Sequence, residues 1–232
     1  MAAGFVQGVS GFALGLVAMA FWAGVMPAQA AAPLIALGSV LGQALTLRTV
    51  WASLDLRRAG PMIVAGISGV PFGLLLLPSI DQGEFRLWAG GLLCVYGPAM
   101  LLMPRLPAVR WGGRWADAAS GLVGGVMGGL SGLSGPAPIL WMTLRGWERD
   151  VQRGIIQSFL IAVQAAGLVG FAATGFLTAD VWRLAAWVLP CIMVPSLLGS
   201  LVYARFSGDG FRRLVLVLLA LTGVALVMRG LS

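Results

Sequence analysis

Apolar residues gather into eight runs along the chain, separated by short polar or Pro-rich stretches. The first runs from Ala2 to Val25 and the second from Pro33 to Trp51. The third covers Gly60–Ile80, with Pro71 inside as a predicted kink, and the fourth Phe85–Met103. After Pro104–Asp117 comes a Gly-rich run that reaches Met142. Three more follow at Gly154–Leu177, Trp182–Tyr203 and Phe211–Met228. A helix needs roughly 20 apolar residues to cross hydrocarbon. The pattern therefore predicts an all-α integral membrane protein.

Two of the runs differ from the rest. Gly4–Val17 (GFVQGVSGFALGLV) and Gly121–Pro138 (GLVGGVMGGLSGLSGPAP) carry more Gly than a long helix tolerates well. At an offset of 117 positions, Gly4, Gly8, Gly11 and Gly15 meet Gly121, Gly125, Gly128 and Gly132. At an offset of 126, Gly73, Phe85, Arg86 and Gly97 meet Gly199, Phe211, Arg212 and Gly223. Two anchors in the same order predict a duplication. Residues 1–103 form one transmembrane repeat, 104–117 a linker and 118–232 a second repeat, each of about four apolar elements. The first element of each repeat is predicted to be a broken, re-entrant Gly-rich helix, although close packing through small residues also accounts for the outer glycines.

Arginine placement sets the expected topology. If all eight runs cross, the fifteen Arg divide eight to seven between the two faces, which the positive-inside rule disfavours. If the two Gly-rich runs enter and return, the division becomes twelve to three, with Arg86, Arg183 and Arg229 alone on the outer face. Each repeat then makes three crossings, so the halves are inverted and both termini are expected outside.

Composition narrows the function. The chain is 59% apolar and 10% charged, and its net charge of +7 comes from Arg at the ends of apolar runs rather than from a basic stripe, so no nucleic-acid partner is expected. No His is present, and Cys94 and Cys191 lie apart in apolar runs, so neither a metal site nor a cofactor is expected. No Asp or Glu falls squarely within a run; Asp117 sits at an edge. Acid–base or nucleophile constellations are missing, which argues against an enzyme. Ala28-Gln29-Ala30 mimics a signal-peptidase site, but no basic residue precedes Arg48, so the first run is read as structure.

The candidate chemistry lies at the breaks. A helix that restarts near Ser10-Gly11, or at Ser131–Pro136, presents unpaired amides and a positive dipole end, both suited to an anion. Pro136 suits the first turn of the restarted helix. Neutral hydrogen-bonding side chains sit nearby: Gln7, Ser10, Ser39, Gln43 and Thr46 in the first half, and Ser131, Ser134, Gln157, Ser158 and Gln164 in the second. The predicted substrate-binding set is Gln7, Ser10, Gly11, Gly15, Ser39, Gln43, Ser131, Gly132, Ser134, Gly135, Ser158 and Gln164. Arg48 and Arg153 are the nearest cations, placed to snorkel at a boundary.

At these motifs the sequence resembles the sulfite exporter family TauE/SafE, bacterial inner-membrane carriers. Gly4, Phe5, Gly8, Gly11, Phe12, Gly15 and Pro27 match the family's first Gly-rich opening; Gly125, Gly128, Gly132, Gly135 and Pro136 echo the second, and Arg57 and Arg58 the basic patch. This chain has Leu133-Ser134-Gly135 where consecutive glycines are usual. The resemblance implies export of a small anion, sulfite or an organosulfur compound such as a sulfonate. The expected protein is a secondary transporter with a midplane site between the repeats, a lipid bilayer and a small anion as partners, and a possible homo-oligomeric state. A passive anion channel of the same architecture is the alternative, and a structural subunit without flux a further one.

Overall fold

The computed structural model describes residues 4, 14–50, 56–102, 108–109, 111–206 and 209–231. The helices are α1 (Leu14–Trp22), α2 (Ala28–Val50), α3 (Leu56–Leu76), α4 (Gln82–Leu102), α5 (Gly113–Ser131), α6 (Pro136–Leu144), α7 (Arg149–Ala173), α8 (Ala179–Phe206) and α9 (Asp209–Leu231). No strand occurs among the described residues. Four stretches, Arg57–Ser79, Gln82–Leu102, Val151–Ala173 and Ala179–Leu198, are long and apolar enough to cross a membrane. Their outer faces expose large apolar side chains such as Val64, Leu75, Val95 and Trp187. In water that surface would be unfavourable, whereas lipid accepts it. This is a multi-pass membrane protein.

Several helices start two to five residues before the apolar runs. Arg57, Arg149, Asp180 and Asp209 all lie in first turns. The hydropathy pattern marks the hydrocarbon-embedded part, while the backbone stays helical into the polar zone. Pro71 lies inside α3, which continues through it. Helix α5 starts at Gly113, within the stretch read as a linker.

Small residues bring the backbones together. In α5, methyl groups placed on Gly121, Gly125 and Gly129 would strike the carbonyl oxygens of Met62, Gly66 and Val70 in α3. Partners rise together at four-residue intervals, so α3 and α5 run parallel. Without a hydrophobic driving force in lipid, such close approach through small residues is what holds helices. The packing reading of the outer glycines therefore describes this face of α5.

Helices α4 and α9 meet differently. Gly90 lies against the Gly223 carbonyl and Gly223 against that of Gly90, Cys94 Sγ approaches Ala220 O at 3.9 Å, and Gly97 faces Leu216 O. One set rises as the other falls, so the two helices are antiparallel. An ideal Cβ on Gly97 would lie 3.1 Å from Ala220 Cβ, just under the ~3.5–4.5 Å of a disulfide. In a Cys94→Ala, Cys191→Ala background, Gly97→Cys with Ala220→Cys is expected to cross-link the two halves on mild oxidation. Proteolysis between α4 and α5 followed by a non-reducing gel reads this out. Two separate fragments would contradict the antiparallel packing.

Helices α5 and α6 form a hairpin. The chain leaves α5 at Gly132, whose φ of 69° is left-handed and whose amide caps Gly128 O, and restarts at Pro136. The end of α6 then comes back to the start of α5. Val109 N donates to Leu144 O at 2.8 Å, Trp141 Nε1 donates to Asp117 Oδ1 at 2.7 Å, and Arg145 lies 3.8 Å from the same carboxylate. The Arg145 guanidinium also lies near the rings of Trp141 and Trp147, at 5.9 and 5.5 Å. Asp117, read from sequence as an edge residue, is buried and closes the base of this hairpin. At the opposite end of the molecule, Gln29 Nε2 donates to Leu77 O and Ile80 O, and Arg86 to Gly24 O.

Candidate functional site

The break between α5 and α6 sits against α2 on one side and α7 on another. A methyl on Gly132 would strike the Ala32 carbonyl and come within 3.0 Å of Ala36 N, so the break rests directly on the α2 backbone. Gly124 and Gly128, on the face of α5 next to the one packed on α3, leave the room in which Ser134 packs: methyls there would lie 2.6 Å from Ser134 O and from Ser134 Oγ. Gly15, in α1, meets the break at Leu133. Each glycine of the run therefore has a stated neighbour. Gly121, Gly125 and Gly129 serve packing on α3, and Gly124, Gly128 and Gly132 serve the break.

The break exposes backbone polarity inside the protein. Pro136 and Pro138 have no amide hydrogen, and Ile139 N is bonded to Gly135 O. Gly135 caps α6 without a side-chain bond. The amides of Leu133, Ser134, Gly135 and Ala137 have no hydrogen-bond partner among the described residues. They stand at the positive end of α6, and the one buried carboxylate among the described residues, Asp117, is engaged by Trp141 and Arg145 at the other end of the hairpin. An anion is the ligand that such a group of donors attracts.

Side chains from α2 and α7 complete the surroundings. Gln43 Nε2 donates to Gln164 Oε1 at 3.2 Å, and Gln164 Nε2 reaches Gly132 O at 3.4 Å. These bonds tie α2, α7 and the end of α5 into one polar core. Leu160 touches the position of Gly135, one turn before Gln164 on α7. The same stripe continues back to Gln157, one turn before Leu160. Gln157 is 1% exposed, and neither its amide nitrogen nor its amide oxygen has a partner; Ser134 Oγ, fully buried, also lacks one. Unpaired buried polar atoms cost about 1–3 kcal/mol each. The Ser134 hydroxyl lies in the break, and Gln157 shares a face of α7 with Leu160 and Gln164, which meet the break at Gly135 and Gly132.

The sequence-predicted set distributes as follows. Ser39, Gln43, Ser131, Ser134 and Gln164 are all buried. Gln43, Gln164 and Gly132 are joined by hydrogen bonds, and Ser134 and Gly135 lie in the break itself. Ser131 turns its hydroxyl back to Met127 O in its own helix, and Ser158, half-buried, does the same to Gly154 O. A hydroxyl so used holds its helix rather than a ligand. Gln7, Ser10 and Gly11 lie outside the described residues. Gln157 is one of the neutral polar groups within the apolar runs and lies outside the predicted set. The signal that finds it is its spacing of seven from Gln164, which puts both on one face of α7. Ser196, buried in α8, gave no signal.

Residues 1–226 match the family described as Sulfite exporter TauE/SafE. A curated relative, the "Probable sulfite/organosulfonate exporter TauE" of Cupriavidus necator, is 25% identical over 233 residues, covering 98% of this chain and 91% of that protein. No solved structure matches the chain. With the family spanning both Gly-rich runs and the helices that enclose the break, this chain belongs to the sulfite exporter TauE/SafE family, whose members are membrane transporters and not enzymes.

Proposed function

We propose that this protein is a secondary transporter that exports a small anion, sulfite or an organosulfonate, from the bacterial cytoplasm. The substrate binds near the midplane, where the restarted helix α6 presents its amides beside Ser134 and Gln157, and alternating access arises from movement of two inverted repeats. The observation that carries this reading is the group of unpartnered donors at a helix start, with Asp117, engaged at the far end of the hairpin, the one buried carboxylate among the described residues. A broken helix aimed at an anionic group is how carriers of several folds hold substrate within lipid.

The antiparallel contact of α4 with α9 supports the inversion. These helices occupy corresponding places in the two halves, and Cys94 and Ala220 at their crossing are 126 positions apart, the offset of the second sequence echo. Exchanging partners at that offset turns the Gly90–Gly223 contact into Leu216–Gly97, which is also made. Gln43 and Gln164 stand at matching depths in α2 and α7 and bond to each other, as residues beside a pseudo-twofold axis do. Eight full crossings would have made α4 and α9 parallel. The α5–α6 hairpin supports re-entry from the Arg-rich face. Both termini then lie in the periplasm, a placement that reporter fusions to each end would test.

The functional test is flux into proteoliposomes with sulfite as the labelled solute and thiosulfate, sulfoacetate and chloride as competitors. Uptake that saturates, is inhibited by sulfoacetate and ignores chloride is expected. Unsaturable ohmic current would replace the carrier reading with a channel, and no flux of any anion would remove it.

A further inference from the structure

An anion has to be gathered from water before it reaches a buried place, and each end of the molecule holds a cation suited to that task. We infer that Arg145 and Arg86 are receiving sites for the transported oxyanion, one on each face, which hold it briefly before it enters or after it leaves the break; this rests on the reading of the α6 start as the substrate site.

Helices α1 and α6 run outward from the break to opposite ends of the molecule. Gly15 of α1 meets Leu133 beside the break, and α6 restarts at Pro136. Helix α6 ends against Arg145, whereas Gly24, just past the end of α1, accepts a hydrogen bond from Arg86 Nη2 at 3.3 Å. In the inverted arrangement Arg145 faces the cytoplasm and Arg86 the periplasm. Both side chains are half-buried, and each keeps a buried nitrogen without a hydrogen bond: Nη1 of Arg145 and Nε of Arg86. Arg145 Nη1 lies 3.8 Å from Asp117 Oδ1, an ion-pair distance too long for a hydrogen bond, and that oxygen already accepts from Trp141 Nε1. Asp81 and Glu84, the acidic residues nearest Arg86 in the sequence, are turned to each other's backbone amides. Planar forks with spare donors suit the paired oxygens of an oxyanion.

Placement at helix ends makes the hold brief. The carbonyl end of a helix repels an anion and the amide end attracts one. Along α6 the field therefore opposes residence at Arg145 and favours Pro136, about 12 Å away at 1.5 Å per residue. The guanidinium draws the anion in, and the dipole moves it on. Asp117 is the resident rival, a negative charge already beside Arg145, and an arriving anion takes its place there. The rings of Trp141 and Trp147, 5.9 and 5.5 Å from the guanidinium carbon, report an occupant by their fluorescence.

The test has two readouts on the full chain. Iodide, a quenching anion, is added to the detergent-solubilised protein and then displaced with methanesulfonate. The displaceable part of the tryptophan quenching is expected to vanish in Arg145→Gln and persist in Arg145→Lys, with quenching by neutral acrylamide unchanged. In proteoliposomes, flux of labelled sulfite at limiting concentration is expected to fall about two- to fivefold in Arg145→Gln and in Arg86→Gln, the value of a partly exposed ion pair. Flux at saturation changes less, and Lys at either position restores the parent. Asp117→Asn keeps an acceptor for Trp141 but removes the rival charge, so it is expected to raise flux at limiting sulfite. A clamp that only closed the hairpin would lose flux in Asp117→Asn as in Arg145→Gln, at limiting and saturating sulfite alike. That result, or displaceable quenching that survives Arg145→Gln, overturns the inference while leaving the transporter reading in place. Absence of flux for every anion in the parent overturns both.

Discussion

Gly132→Ala is expected to reduce anion flux to background in protein that still inserts, while Gly135→Ala leaves flux within about twofold of the parent. The two glycines lie three positions apart in one motif, yet their backbones make opposite demands. Gly132 has φ at 69°, where a Cβ costs roughly 1–2 kcal/mol, and the new methyl would strike the Ala32 carbonyl on α2. Its neighbours are backbone atoms of a long helix, which cannot rotate aside. Gly135 has φ −76° and ψ −37°, ordinary for any residue, and its nearest neighbours would be the flexible ends of Ile139 and Leu160 at 3.2 and 3.6 Å. The strain at Gly132 would be relieved by moving α5 away from α2. That movement withdraws Gly132 O from Gln164 and displaces the amides that follow. The measurement is flux per inserted protein, with thermal stability in detergent recorded beside it. Equal effects of the two substitutions would mean that the left-handed turn does not position the site.

Sequence pattern alone placed the break, because Gly and Pro cluster there as they do nowhere else in the second half. It also placed most of the polar core, since a Gln or Ser within an apolar run stands out against its neighbours. What it could not do was divide the glycines by role. Gly121, Gly124 and Gly125 look alike in sequence, and their difference arises from which helix lies opposite: α3 for the first and third, the Ser134 segment for the second. Long-range partners of that kind are invisible to a local pattern. The same limit applies to Asp117. Its position suggested a helix edge, whereas the hairpin brings Trp141 and Arg145 back onto it from 24 and 28 residues downstream. Ser158 stands out as a hydroxyl within an apolar run, but that says nothing of where the hydroxyl turns. The periodicity that mattered on α7 was seven, linking Gln157 to Gln164.

Gln157 supplies the second large effect. Replacing it with Leu, similar in length and without polar atoms, is expected to lower flux of sulfite roughly ten- to a hundredfold, the value of one or two hydrogen bonds to a charged group at about 1.5–3 kcal/mol. Stability should move the other way or not at all. The amide is 1% exposed with both ends unpartnered, so removing it relieves an unpaired buried dipole. A glutamine that served only to join helices would behave differently, losing stability when truncated and lowering flux only through misfolding. Gln164 provides that comparison within the same helix: its amide is bonded to both Gln43 and Gly132 O. Gln164→Leu should therefore destabilise the protein, because it removes the bonds that join α7 to Gln43 of α2 and to Gly132 O. Melting temperature and flux measured together on the two variants separate the roles. Coincident losses of stability and flux in Gln157→Leu would place that side chain among the helix contacts and remove it from the substrate's path.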